Sequence, residues 1–163
     1  MPRRFRMSPA PDFAGAGTSH SFVLASDPLA VRAGLAKMAG VPPLSQLTSD
    51  QRGTVEVVLA EVLNNVAEHA YAGGPGQISV SLRLLGARLA CQVTDSGLPM
   101  PGNQLPAGDL PGQAADPAVG YADLALSDLP EGGFGWHLIR QLTVGLHYVR
   151  AGGQNKLSFT IPL

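Results

Sequence analysis

The stretch from Leu47 to Gly74, LTSDQRGTVEVVLAEVLNNVAEHAYAGG, constrains this chain more than any other. At 100° per residue Val55, Val58, Leu59, Val62, Leu63 and Val66 share one broad arc of a helix. Such an arc must be covered by a second layer of structure. Ser49 or Asp50 offers the helix start, and Gly73-Gly74 the stop. Yet the same helix carries Glu61, Asn64, Asn65, Glu68 and His69. Asn65 and His69 lie at the rim of the apolar arc, Glu61 sits just outside the same rim, Glu68 lies beyond it, and Asn64 points well away. Glu61, Asn65 and His69 therefore make an i, i+4, i+8 file along one edge of the stripe. A polar file in that place is either a solvated border or the wall of a cleft.

The covering layer is legible around this helix. HSFVLAS (20–26) reads as a strand. It runs into SDPLAVRAGLAKMAG, where Asp27 or Ser26 caps a short helix, Pro28 occupies its first turn, and Gly40 with Pro42 ends it. GQISVSLRLLGARLACQVTDSG gives two strands hinged at Gly86-Ala87. GGFGWHLIRQL is a glycine-rich entry into a helix, and VGLHYVRAGGQNKLSFTIPL gives two closing strands around Gly152-Gly153. The order β-α-α-β-β-loop-α-β-β keeps strands in hairpins and leaves helices to cover one face. The expected fold is therefore α+β: a two-layer α/β sandwich whose sheet is mixed but mostly antiparallel.

The chain has 163 residues, one domain's worth, of which 45% are hydrophobic and only 14% charged. Its formal net charge of −1 gives no general attraction to nucleic acid or anionic membrane. The lone Cys91 excludes an intrachain disulfide and fits a reducing compartment. No apolar run approaches the ~20 residues that span a bilayer. Residues 1–19 are basic without a continuous apolar core and read as a flexible leader rather than a signal peptide. A cytoplasmic domain over 20–163 is expected. Within it, residues 98–131 are dense in Pro, Gly and Asp, with room for a short helix near 121–127. Loops this long inside a compact domain are usually functional or mobile.

Two further signals bear on chemistry. VTDSGLP ends a strand in Asp95, whose carboxylate can accept a hydrogen bond from an exocyclic amine, and Gly97 lets backbone approach a flat ring. On its own, DSG is an ordinary turn. EGGFGWHLI places Gly132, Gly133 and Gly135 where a helix begins, and free N–H groups there suit phosphate. Leu138 stands where a dinucleotide fingerprint needs its third glycine, and no Gly-Lys-Ser/Thr makes a Walker A loop.

Glu-x-x-x-Asn-x-x-x-His at 61, 65 and 69, Asp-x-Gly-x-Pro at 95–99 and Gly-Gly-x-Gly at 132–135 resemble, in order, the N, G1 and G2 boxes of the histidine kinase-like (GHKL) ATPases. NNVAEHAY, DSGLPM and PEGGFGWHLIRQL most resemble the bacterial anti-sigma-factor serine kinases, the RsbW/SpoIIAB-like proteins. The likeness runs from about residue 20 to the C-terminus. It implies a Bergerat-type sandwich that binds ATP and Mg²⁺ between its helices and a lid at 98–131. It further implies that Asn65 holds Mg²⁺ and that Glu61 is the general base. Asp95 would read the adenine amine above Gly97, and Gly132, Gly133 and Gly135 would line the phosphate end. His69 would support the site rather than act in the chemistry. The implied partners are a STAS-type anti-sigma-factor antagonist as substrate and a sigma factor or similar regulator as captive, with a homodimer as the assembly and no direct contact to nucleic acid or membrane.

The sequence departs from that pattern in places. From Ser96 through Ile139 there is no Lys or Arg, while Asp109, Asp116, Asp123, Asp128 and Glu131 are acidic. Charge neutralisation would then fall to Mg²⁺, backbone N–H groups, Arg140 or a partner's residue. Val144 stands where an acidic residue is common, and Trp136-His137 is an unusual pair just inside the helix. Besides a serine/threonine kinase, two readings stay open: an ATP-dependent switch that captures a partner without phosphotransfer, and the ATPase half of a split two-component histidine kinase.

Overall fold

The computed structural model describes residues 16–108 and 134–163. The leader up to residue 15, the part of the expected lid over 109–131 with the short helix expected near 121–127, Gly132 and Gly133 lie outside the described residues. The elements run β1 (Ser19–Ala25), α1 (Pro28–Ala39), α2 (Ser49–Asn65), β2 (Gln77–Leu84), β3 (Arg88–Asp95), α3 (Phe134–Leu142), β4 (Val144–Ala151) and β5 (Gln154–Pro162). The sheet order is β1-β2-β3-β5-β4, and all four pairings are antiparallel. With helices packed on this sheet, the architecture is the expected α+β sandwich. The leader boundary differs: β1 begins at Ser19, and Thr18 already accepts a bond from Leu84 N–H at 2.9 Å, because the edge of β2 extends that far.

Local chemistry explains the helix starts. The Asp27 side chain accepts the Ala30 N–H at 2.8 Å, and Pro28 occupies the first turn of α1. α2 begins at Ser49, one of its two expected starts, with Thr48 as its cap. Thr48 Oγ1 accepts the Gln51 N–H at 3.3 Å while Gln51 Oε1 accepts the Thr48 N–H at 3.0 Å, a reciprocal box that only Thr48 and Gln51 can make. At the closing hairpin Ala151 pairs with Gln154, and both turn residues take positive φ, 57° at Gly152 and 78° at Gly153. Glycine adopts that region at little cost.

α2 does not continue to Gly73. From Val66 to Ala70 it widens into a π-helical turn, with Tyr71 N–H bonded to Val66 O at 3.2 Å. Val55, Val58, Leu59, Val62 and Leu63 are buried as the periodicity requires, against Ile78, Val80, Leu82, Leu89, Val93, Phe159 and Ile161 of the sheet. On β2 the buried residues alternate with Ser79 and Ser81 on the opposite face. α3 adds Ile139 to the same core. No helix among the described residues is long and apolar enough to cross a membrane.

Candidate functional site

A cavity of about 1100 Å³ opens where the end of α2, the loop after β3, the β4–β5 hairpin and the start of α3 converge. Glu61, Asn65, His69, Asp95 and Gly135 all line it, together with Trp136, Tyr148 and Asn155. The polar file on α2 is thus a cavity wall rather than a solvated border. Its regular i, i+4, i+8 geometry is not kept, because His69 falls in the π turn. His69, Glu68 and Asn64 are exposed yet line the same cavity, which is open along this side of the helix. That opening is why Asn64, expected to point well away, borders the site.

Glu61 and Asn65 face the first turn of α3. A methyl built on Gly135 would stand 2.5 Å from Glu61 Oε2 and 3.7 Å from Asn65 Nδ2, so a glycine lets α3 close on both side chains. Asn65 Nδ2 is buried with no hydrogen-bond partner among the described residues. A buried polar atom left unpaired is costly and points to an absent ligand. No group of three His, Cys, Asp or Glu suited to a metal occurs among the described residues. A hard cation here would rest on the Asn65 carboxamide oxygen and on ligand oxygens, which suits Mg²⁺, since it keeps few protein ligands.

Asp95 is 6% exposed at the end of β3. Its Oδ1 accepts the Gly97 N–H at 2.9 Å and Asn155 Nδ2 at 2.7 Å. Its Oδ2 has no hydrogen bond among the described residues. The carboxylate is thus anchored by one oxygen, with its side chain on the cavity wall.

Gly97 is not among the residues that line the cavity. A methyl there would collide with Ala70 O and lie 2.8 Å from Ala70 Cβ, so the lack of a side chain lets the loop seat on the π turn. The adjoining Leu98 N–H caps Ala70 O at 2.6 Å. Tyr71 reinforces this junction, donating to Gln77 O at 2.7 Å and accepting the Ser96 N–H at 3.0 Å.

Arg140 does not serve the cavity either. Its Nε and one terminal nitrogen donate to Pro106 O at 2.9 and 2.6 Å, while a His137 ring nitrogen lies 3.3 Å from Gly108 O. The pair thereby holds the 106–108 segment against α3. Trp136 lines the cavity, so its place beside His137 divides the first turn of α3 between cavity and loop.

Asn155, Tyr148 and Arg150 were not anticipated from the sequence. A signal existed: Asn155, Leu157, Phe159 and Ile161 share one phase of β5, and Asn155 is the polar member of an apolar series.

The sequence model of the histidine kinase-like ATPase domain matches residues 24–161. The chain is also similar to proteins named serine-protein kinase RsbW from Bacillus cereus, Bacillus anthracis and Bacillus thuringiensis. Each is 27% identical over 122 residues, which cover 74% of this chain and 70% of the relative. The cavity lies within the matched span, and on that match over most of its length the chain belongs to the histidine kinase-like ATPase domain family.

Proposed function

We propose that this protein is an ATP-dependent serine/threonine protein kinase of the anti-sigma-factor type. Its substrate would be a STAS-type antagonist, and it would otherwise sequester a sigma factor or similar regulator as a homodimer. The observation that carries this reading is the meeting of Glu61, Asn65 and Asp95 on one cavity large enough for a nucleotide. Similarity to proteins named as serine-protein kinases supports the choice of acceptor.

In this reading Asp95 accepts the amine of the adenine and fixes the base end. Asn65 holds Mg²⁺, which supplies charge neutralisation to the phosphates when bound. Gly135, with Gly132 and Gly133 before it, leaves room for phosphate oxygens beside backbone N–H groups. Glu61 takes the proton of the incoming hydroxyl as its oxygen bonds to the γ-phosphorus and the bond to the β,γ-bridging oxygen breaks. His69, at the open side, supports the wall without touching the reacting atoms. Phosphoryl transfer asks mainly for such positioning.

Incubation with Mg²⁺, ATP and a STAS-type antagonist should give phosphoserine or phosphothreonine, and Glu61→Ala should abolish it. A second reading has its own observation: no Lys or Arg lines the cavity among the described residues. An ATP-dependent switch without transfer needs less neutralisation than a kinase. Tight ATP binding with no phosphorylated product on any partner would select it.

A further inference from the structure

We propose that Asn155 is a positioning residue for base selection, holding Asp95 so that one oxygen alone is presented to an amino-substituted purine; this rests on the nucleotide-binding reading above. Strand register sets up the arrangement, pairing Asp95 with Asn155 across β3–β5 and Asn155 with Arg150 across β5–β4. The three side chains form a lateral row at the end of the sheet nearest the cavity.

The hydrogen bonds fix which way the Asn155 carboxamide points. Its Oδ1 accepts from Tyr148 Oη at 2.7 Å and from an Arg150 terminal nitrogen at 2.6 Å. A guanidinium only donates, so the oxygen must face Arg150 and the nitrogen must face Asp95. Nδ2 then donates to Asp95 Oδ1 at 2.7 Å and to Leu98 O at 2.9 Å. The same clamp grips the loop after β3. Arg150 donates to Gly97 O at 2.9 Å, and Tyr148 Oη accepts the Met100 N–H at 3.1 Å. Asn155 is 5% exposed at the edge of the cavity, so the centre of this network is shielded from water, and removing one member leaves others unpaired.

The consequence is selectivity. With Oδ1 holding two donors, Asp95 offers Oδ2, and a carboxylate oxygen can only accept. A purine with an exocyclic amine at that position supplies a donor, whereas a 6-oxo purine brings a second acceptor and is rejected. Were Asp95 free to swing away from the base, the amine would lose its acceptor and the distinction would blur. Asn155 contributes by holding that side chain in place.

The test compares binding of ATP and of inosine triphosphate, which differs by an oxygen in place of the amine, to the full chain and its variants. The intact protein should prefer ATP by about tenfold or more, as a mispaired buried polar contact predicts. Asn155→Ala should bring the ratio to within about threefold of unity, mostly through weaker ATP binding. Asn155→Asp, which turns an acceptor toward Asp95, should do the same. Tyr148→Phe keeps the Arg150 donor and should lower the ratio by a smaller factor. A folded Asn155→Ala protein with an unchanged ratio overturns the proposal. Should that variant not fold, an unchanged ratio in Tyr148→Phe overturns it. If the intact protein binds no ATP, the nucleotide reading itself falls. If it binds both nucleotides equally, Asp95 does not select the base and the role of Asn155 falls, while nucleotide binding itself stands.

Discussion

Gly135 faces the Glu61 carboxylate so closely that a methyl in its place would stand 2.5 Å from Oε2. One residue comes from the middle of the chain and the other from the helix beyond the 98–131 loop, so this contact aligns the proposed base with the start of α3. Gly135→Ala must push Glu61 aside, since the clash falls on its reacting end. Transfer should drop by about 10²-fold, the usual worth of a positioned general base. ATP affinity should change far less. Measuring phosphotransfer and ATP binding side by side checks this, and equal losses in both would count against a role for Glu61 in the chemistry.

Asn65 supports a separate expectation. Its Nδ2 is buried with no partner among the described residues, and its carboxamide oxygen is one of the hard donors on this wall. Asn65→Ala should therefore remove the Mg²⁺-dependent part of ATP affinity while leaving the metal-free affinity within about threefold. Titrations with and without Mg²⁺ distinguish this from general damage. A variant that keeps its full Mg²⁺ enhancement would exclude Asn65 as the cation's ligand.

Much of this was legible in the sequence, for reasons of period and spacing. The apolar residues of α2 recur at helical intervals, and paired glycines or capping residues separate most elements. The α+β layering follows from them. Asp95 and Asn65 stood out because each is polar at the boundary of an apolar element. What escaped was set by neighbours distant in the chain. The π turn at Val66–Ala70 is stabilised by Leu98 N–H bonding Ala70 O, a contact between residues 28 positions apart that no local pattern carries. Arg140, one of several candidates for charge neutralisation, donates twice to Pro106 O, a contact across the loop that spacing does not give. The place of Asn155 depends on register across two strand pairs, which spacing along one strand does not give.

Cys91 gives a pH prediction with a definite sign. The thiol lies fully buried on β3, and loss of solvation pushes its pKa well above the ordinary 9.0. Below that value both folded and unfolded chains keep the proton, and the thiol adds no pH dependence. Above it the unfolded chain releases the proton and the folded chain does not, so stability falls as pH rises beyond 9.0. The extra slope is about 1.4 kcal/mol per pH unit for this one proton. Urea unfolding between pH 8 and about pH 10 should show a steeper fall in the intact protein than in Cys91→Ala. Parallel curves would mean that the thiol ionises freely in the native state. The native thiol should also resist alkylation until the chain is unfolded.

Gly97 offers the sharpest test of how the cavity is held together. Its neighbours within 3 Å of a hypothetical Cβ are the carbonyl oxygen, carbonyl carbon and Cβ of Ala70. None of these is the movable end of a long side chain. Gly97→Ala must therefore lift the loop from the π turn, breaking the 2.6 Å bond from Leu98 N–H to Ala70 O and disturbing the Asp95 anchor through Gly97 N–H. Overpacking of this kind costs about 1–3 kcal/mol, and the lost bond adds about 1 kcal/mol. The variant should unfold at lower urea, and its ATP affinity should fall with it. Gly102→Ala is the comparison, because nothing lies within 4 Å of a Cβ there although its φ is 62°. Its strain is confined to a short turn, so it should lower stability without weakening ATP binding beyond what unfolding explains. A Gly97→Ala protein as stable as the parent would mean that the loop can leave the helix at no cost, and the two walls of the cavity would then be independent.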